Sequence, residues 1–462
     1  MSHPKLRASA GALLLAVCAF CHALPAKARV GAARARPNLL LIGVDDLGYG
    51  DLSSYGARDI KTPNIDALVA SGMRFDRFYA NSPVCSPTRA ALLSGRYPDT
   101  VGVPGVIRTD PEDSWGFLSP SARLLPQLLA RSGYDTALVG KWHLGLESPN
   151  LPGERGFKHF RSFLGDMVDD YYTHLRHGKN YMRAGRRQIN PVGHTTDLFT
   201  NWAIEYLKKR QPGDKPFFLY LAHVAPHVPL QPPAEWLARV TRREPGINSQ
   251  RAKLAALIEH LDDGIGRVVE TLKATGQYEN TMIIFTSDNG GQLNVGASSS
   301  DLRGGKEELY EGGIRVPLGV VWSGRIAPNT RTDRVALTMD LLPTFFDAAG
   351  VVLDSSVDGS SILPVLMGRT TAVPNVERDL FWMRREGGGF YHGKDYYAVR
   401  RGRWKLMQNH PYMPFRLYDL DADPHEDKDV AKENGKMIEE LSRLLRAHLR
   451  RAGAVPWQRH GQ

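Results

Sequence analysis

From residue 37 onward the chain alternates short, unbroken apolar runs with longer stretches in which apolar positions recur every three to four residues. Unbroken runs suit strands buried on both faces, and the three-to-four spacing suits helices packed along one face. The runs predict strands at residues 38–44, 136–139, 217–222, 281–286 and 316–322. Amphipathic stretches predict helices at residues 63–71, 119–131, 196–209, 250–275 and 339–348. Thr62 is placed to cap the first of these, and Pro63 suits its first turn, where a missing N–H leaves no bond unmade. The fold class that follows is α/β: a large, mostly parallel sheet flanked by helices.

Past about residue 378 the runs become shorter and more polar. Residues 396–400, 404–408 and 415–418 predict a smaller antiparallel sheet, closed by a basic amphipathic helix over 436–451. At the other end, Lys5 and Arg7 precede an apolar run over 8–23, and the small-x-small triplet Ala26-Lys27-Ala28 follows. That is the layout of a secretory signal peptide. Cys18, Cys21 and His22 interrupt the run, which falls short of the roughly 20 apolar residues a membrane-spanning helix needs. The expected organisation is a leader at 1–28, a main α/β domain at 29–378 and a C-terminal α+β subdomain at 379–462. The expected location is outside the cytoplasm, in a bacterial periplasm or secreted, with no stable membrane span.

Composition sharpens this picture at one point. The 462 residues include only three cysteines, with no paired spacing that suggests a disulfide framework or a structural zinc site. Loss of the leader would remove two of them and lower the formal charge from +10 to +7. Cys85 would then be the lone thiol in an oxidising compartment, without an intramolecular partner.

In open α/β sheets, binding groups collect beyond the carboxyl ends of the strands. The first predicted strand runs into Asp45-Asp46, and the fourth into Asp288-Asn289-Gly290-Gly291. These pairs supply hard oxygen ligands of the kind Ca²⁺ or Mg²⁺ takes, although Asp and Asn also make ordinary turns. Cys85 stands just before an expected helix start, with Pro87 in its first turn and Arg89 one turn on. A thiol there is expected to be electrostatically activated, in a place that also attracts an anion. Lys141 and His143 lie two residues apart in what reads as extended backbone, which would aim both at one pocket. Two histidines, His223 and His227, follow the third strand, and Lys306 sits in the glycine-rich stretch Arg303-Gly304-Gly305-Lys306.

Together these segments resemble the type I sulfatase family of the alkaline phosphatase superfamily, closest to its arylsulfatase A-like and N-acetylgalactosamine-6-sulfatase-like members. The resemblance rests on Cys85-Ser86-Pro87-Thr88-Arg89, followed by Ala90 to Arg96, and on the second signature from Gly133 to Gly145. It implies that a formylglycine-generating or equivalent maturation enzyme oxidises Cys85 to formylglycine. Hydrated to a geminal diol, that aldehyde would attack sulfur with one hydroxyl and use the other to expel sulfate. The resemblance assigns Asp45, Asp46, Asp288 and Asn289, with the modified Cys85, to a divalent cation, Ca²⁺ or alternatively Mg²⁺. It gives Lys141 and Lys306 to the sulfate oxygens and Arg89 to orienting the modified residue. His143 would hydrogen-bond the diol and assist elimination, and His227 would contact sulfate and protonate the leaving alcohol. His223 matches less well and would only line the pocket. The rim is expected in the loop from Gly145 to Thr195, with Tyr171, Tyr172, His174 and Arg186-Arg187.

The implied activity is hydrolysis of a sulfate ester of an aryl compound, small molecule or glycan. A phosphonate or phosphate monoester hydrolase on the same fold is one alternative. A non-catalytic, calcium-bound glycan-binding protein is another, disfavoured because a binding module needs neither a nucleophile nor a proton donor. Nucleic acid is not an expected partner, since the Arg-rich final helix reads as a solvated face and no basic, aromatic-rich patch occurs.

Overall fold

The segment Asn38–Asp45 is apolar from Leu39 to Val44, and every side chain after Asn38 is buried. Only a strand at the centre of a sheet covered on both faces satisfies that pattern, because its backbone then pairs on both edges. The computed structural model, which describes Met1 and residues 36–369, 378–386 and 394–458, places it there. The predicted leader, Met1 apart, lies outside the described residues.

The main sheet has ten strands. Their order is Thr330–Thr332, Met73–Phe75, Leu318–Trp322, Thr281–Ser287, Asn38–Asp45, Phe217–Pro226, Asp135–Lys141, His159–Phe163, Met182–Ala184 and Arg187–Gln188. Asn38–Asp45 pairs in parallel with Phe217–Pro226 on one side and Thr281–Ser287 on the other. Asp135–Lys141 and then His159–Phe163 extend the parallel set. Leu318–Trp322 runs antiparallel to Thr281–Ser287, within a sheet whose central strands are parallel as expected. An apolar run reports burial on both faces, and burial does not fix direction.

Alternate residues of the central strands feed two cores. Leu39, Leu41, Leu138, Phe218 and Ile284 face the helices Cys85–Ser94, Leu125–Arg131 and Leu341–Ala349. Leu40, Ile42, Val139, Leu219 and Ile283 face Pro63–Ala70, Thr195–Lys208 and Ser249–Ala274. The helix expected over 119–131 is only Leu125–Arg131, with a proline in its first turn. Pro126 lacks the N–H that a longer helix would use, and the Gln127 side chain instead accepts a bond from Leu124 N at 3.0 Å.

Leu380–Glu386, Lys394–Arg401, Trp404–Gln408 and Arg416–Asp419 form a four-stranded antiparallel sheet, followed by the helix Gly435–Ala452. Its first strand escaped the sequence reading because Arg384 and Glu386 make it look solvated. Both are buried and paired with each other at 2.6 Å. This sheet braces the segment before Cys85: Trp382 Nε1 donates to Ala80 O at 2.8 Å, and Ser82 Oγ donates to Met383 O at 3.4 Å.

Candidate active site

Because four neighbouring strands run parallel, their carboxyl ends emerge along one edge, and Asp45, Lys141, His227 and Asp288 emerge with them. Asp46 follows in the left-handed region at φ 64°, which turns the chain out of the strand. Its amide donates to Asp288 Oδ1 at 3.3 Å. The Asp288-Asn289 turn packs tightly beyond it, since a Cβ on Gly290 would lie 2.0 Å from Gly312 O.

Carboxylates and fixed cations alternate in this group. Lys141 Nζ donates to Asp45 Oδ2 at 2.6 Å, and Lys306 Nζ to Asp46 Oδ2 at 2.7 Å. Arg89 donates to Asp288 Oδ2 through Nε at 3.0 Å and Nη2 at 2.7 Å. Asn289 Nδ2 donates to Asp46 Oδ1 at 2.8 Å. Two oxygens remain buried without a hydrogen-bond partner, Asp45 Oδ1 and Asn289 Oδ1. One ligand atom from each of Asp45, Asp46 and Cys85 lies within 4.8 Å of the others. Orphaned carboxylate and amide oxygens among further carboxylates fit a hard divalent cation.

The charges respond to this crowding. Burial alone would raise the Asp45 carboxyl, but Lys141, His227 and Arg89 outweigh it and hold the group far below the usual carboxylate range. Burial and the neighbouring Asp45 charge push Asp288 up to about 7, against the pull of Arg89 and Lys141.

Cys85 opens the helix Cys85–Ser94, as expected, but its thiol is not activated. It is 4% exposed, and burial pushes it up to about 12 despite the pull of Lys141 and Lys306. Loss of hydration outweighs the nearby cations, and Asp45 and Asp288 oppose them. The start of the helix is pinned by neighbours: Ile107 N donates to Ser86 Oγ at 3.1 Å, and Ser82 N to Thr88 Oγ1 at 3.1 Å.

His143 corrects a second expectation. The strand ends at Lys141, and His143 is left-handed at φ 59° rather than extended. Its Nε2 lies 2.8 Å from Ile107 O. A carbonyl only accepts, so Nε2 carries the proton and Nδ1 keeps a lone pair, buried and without a partner. Burial, then Lys141 and Arg89, hold the ring well below its ordinary pKa, in the neutral form. The same logic applies to His227. Nδ1 lies 2.7 Å from Val228 O, so Nε2 has the lone pair and accepts from Lys306 Nζ at 3.1 Å.

His223 lies apart from this group. It is fully buried, with Phe199 as a ring neighbour at 6.3 Å, and neither ring nitrogen has a hydrogen-bond partner. Among the expected rim residues, Tyr172 and Arg187 are exposed, whereas Tyr171 is buried and donates its hydroxyl to His227 O at 2.6 Å. Two participants went unread in the sequence. Tyr220 OH meets Arg89 Nη1 at 3.4 Å, and a polar-tipped aromatic within an apolar strand was its signal. The Ile107 carbonyl gave none, since any residue type could supply it.

A sheet edge that gathers carboxylates, fixed cations and two histidines around one helix N-terminus defines an enzyme built for an oxyanion ester. The chain belongs to the sulfatase family: residues 37–351 match the family described as Sulfatase, and residues 305–453 match N-sulphoglucosamine sulphohydrolase, C-terminal. It is 32% identical to N-acetylgalactosamine-6-sulfatase of Canis lupus familiaris, over 82% of this chain and 73% of that protein. It is 35% identical to arylsulfatase A of Homo sapiens, over 73% of this chain and 69% of that protein. The crystal structure of Ps i-CgsB in complex with k-i-k-neocarrahexaose superposes with a TM-score of 0.83 at 30% identity, covering 92% of this chain and 95% of that one. The protein is therefore a sulfatase, and among its described residues no helix is long and apolar enough to cross a membrane.

Proposed function

We propose that this sulfatase is exported and releases inorganic sulfate from a sugar or aryl sulfate ester, with Cys85 converted to formylglycine by a maturation enzyme. The observation that carries this reading is the position of Cys85. The residue sits within 4.8 Å of ligand oxygens of Asp45 and Asp46, yet its thiol is held protonated by burial and is a poor nucleophile as it stands. An aldehyde at that position supplies a hydrated hydroxyl as nucleophile. Asp45, Asp46, Asp288 and Asn289 would hold a divalent cation, Ca²⁺ or alternatively Mg²⁺, which would supply Lewis-acid stabilisation of sulfate oxygens.

The chain's own residues account for the remaining work. Lys141 and Lys306 are fixed charges, preorganised for the negative charge that grows on sulfate oxygens. Arg89 lies one turn along the same helix as Cys85 and is anchored on Asp288, from where it would orient the modified residue 85. His143 presents its Nδ1 lone pair to take a proton during elimination. His227, once protonated at Nε2, gives that proton to the leaving alcohol, and Lys306 must then release it.

The similar proteins named for N-acetylgalactosamine 6-sulfate and the neocarrahexaose complex support a sulfated glycan as substrate class. The test is mass analysis of the Cys85 peptide from protein made in its native host, alongside turnover of an aryl sulfate and an aryl phosphonate. An aldehyde with sulfate release is expected. Active protein carrying only thiol would sink the mechanism, and a higher kcat/KM for the phosphonate would sink the ester assignment.

A further inference from the structure

Outside the catalytic group, one ligand atom from each of His194, Asp197 and His260 lies within 4.8 Å of the others. We propose that these side chains form a second metal site, selective for an imidazole-preferring divalent ion of the Zn²⁺ class and distinct from the oxygen-lined site at Asp46. The inference is independent of the reading given for Cys85.

The elements hold the three groups in place. His194 caps the helix Thr195–Lys208, Asp197 lies in its first turn, and His260 lies on the helix Ser249–Ala274 that packs against it. His260 Nε2 is 3.1 Å from Asp197 Oδ1. Two imidazoles and a carboxylate with an open position are a nitrogen-rich set that suits Zn²⁺ and its neighbours rather than Ca²⁺.

Hydrogen bonding within the protein leaves this cluster incomplete. His260 Nδ1 is buried without a partner, and so are both ring nitrogens of the neighbouring His223. A neutral imidazole carries one N–H and one lone pair, and buried polar atoms of this kind are nearly always answered. His194 Nδ1 already points its lone pair toward the first turn, accepting from Thr196 N at 3.2 Å. Coordination through Nδ1 would give up that hydrogen bond and the one between His260 and Asp197, while His194 Nε2 stays on Gln231 O at 3.0 Å.

The surroundings suit an ion that enters from one side. Tyr171 stacks on His194 at 4.8 Å and Trp236 on His260 at 5.6 Å, forming an apolar wall. The Asp197 side chain is 41% exposed and leaves a path from solvent. Arg267 is the competing cation, 3.6 Å from Asp197 and 41% exposed, so it can swing aside. The Tyr171 ring covering His194 also bonds His227 O, so the site abuts the catalytic edge without sharing a ligand with it.

The test uses the full, untagged chain carrying Asp46→Asn, which weakens the oxygen-lined site, stripped by a chelator and titrated with Co²⁺. Expected is one equivalent of Co²⁺ with the visible absorption of a nitrogen-ligated ion, displaced by one equivalent of Zn²⁺ and unaffected by excess Ca²⁺. His260→Gln and Asp197→Asn should each weaken Co²⁺ binding by about 100-fold or more. Absence of the absorption band in the parent, or its survival in both variants, overturns the proposal. Should either variant fail to fold by circular dichroism, the parent decides: Zn²⁺ must raise its unfolding temperature, and no rise overturns the proposal equally.

Discussion

Lys306 and His227 meet at 3.1 Å, Nζ to Nε2, above Asp46 Oδ2, which lies 2.7 Å from the ammonium and 3.5 Å from the imidazole. The nitrogen assigned to deliver a proton is therefore occupied by a fixed cation. Burial, and then Lys306, lower the His227 pKa, while Asp46 raises it. Removing Lys306 should raise it.

For the enzyme this has a direction. A general acid works only while protonated, so kcat should fall as pH rises through the His227 pKa. In Lys306→Ala that descending limb should move to higher pH, while kcat/KM at the optimum drops on the order of 10²–10³-fold, as for loss of one preorganised oxyanion donor. A pH–rate profile of both proteins checks it. An unshifted limb would remove His227 from the role of acid.

Cys85→Ala should abolish turnover and leave the fold intact, because the side chain is small and its helix is secured by Ser86, Thr88 and Arg89. Thermal unfolding with an aryl sulfate assay gives the answer. Retained activity would show that residue 85 is not the nucleophile.

Chelation should inactivate the enzyme reversibly, with Ca²⁺ restoring it. Burial and the Asp45 charge push Asp288 up to about 7, even with Arg89 and Lys141 beside it. A cation needs the carboxylate, so binding near neutral pH should release a proton. Affinity should climb as pH rises toward 7 and flatten above it. Calorimetry in buffers of different ionisation enthalpy measures the released proton, and zero release would contradict the Asp288 assignment.

Lys405 offers a stability test away from the catalysis. It is fully buried between Glu311 at 3.1 Å and Glu426 at 2.8 Å, tying the small sheet to the short helix Glu311–Ile314. Lys405→Met should cost about 3–5 kcal/mol, because it strands buried carboxylates. Denaturant unfolding checks this, and adding Glu426→Gln should recover part of the loss.

The sequence let Asp45-Asp46 and Asp288-Asn289 be placed together, because each pair follows an apolar strand and parallel strands must deliver their ends to one edge. Cys85, Arg89, Lys141 and Lys306 converge there too. What it could not carry were quantities that exist only after packing. Desolvation of the Cys85 thiol depends on what surrounds it, and opposes the activation that its neighbours in sequence suggest. The left-handed turn at His143 brings its ring to the Ile107 carbonyl, 36 residues away in sequence. Tyr171 reads as a solvent-facing rim residue until the loop folds its hydroxyl under His227.

All ten residues of the helix Cys85–Ser94 are buried, and the C-terminal sheet braces the segment leading into it. A macromolecular catalyst that must reach the Cys85 sulfur therefore has a deadline. It would have to work on a chain still open, before the strand Leu380–Glu386 packs on the segment leading into Cys85, and a molecule that folded first would be a well-packed but inert product. Yield of active enzyme would then be set by a race between oxidation and folding. Slowing the docking of the last strands should raise the active fraction without altering the activity of any single finished molecule.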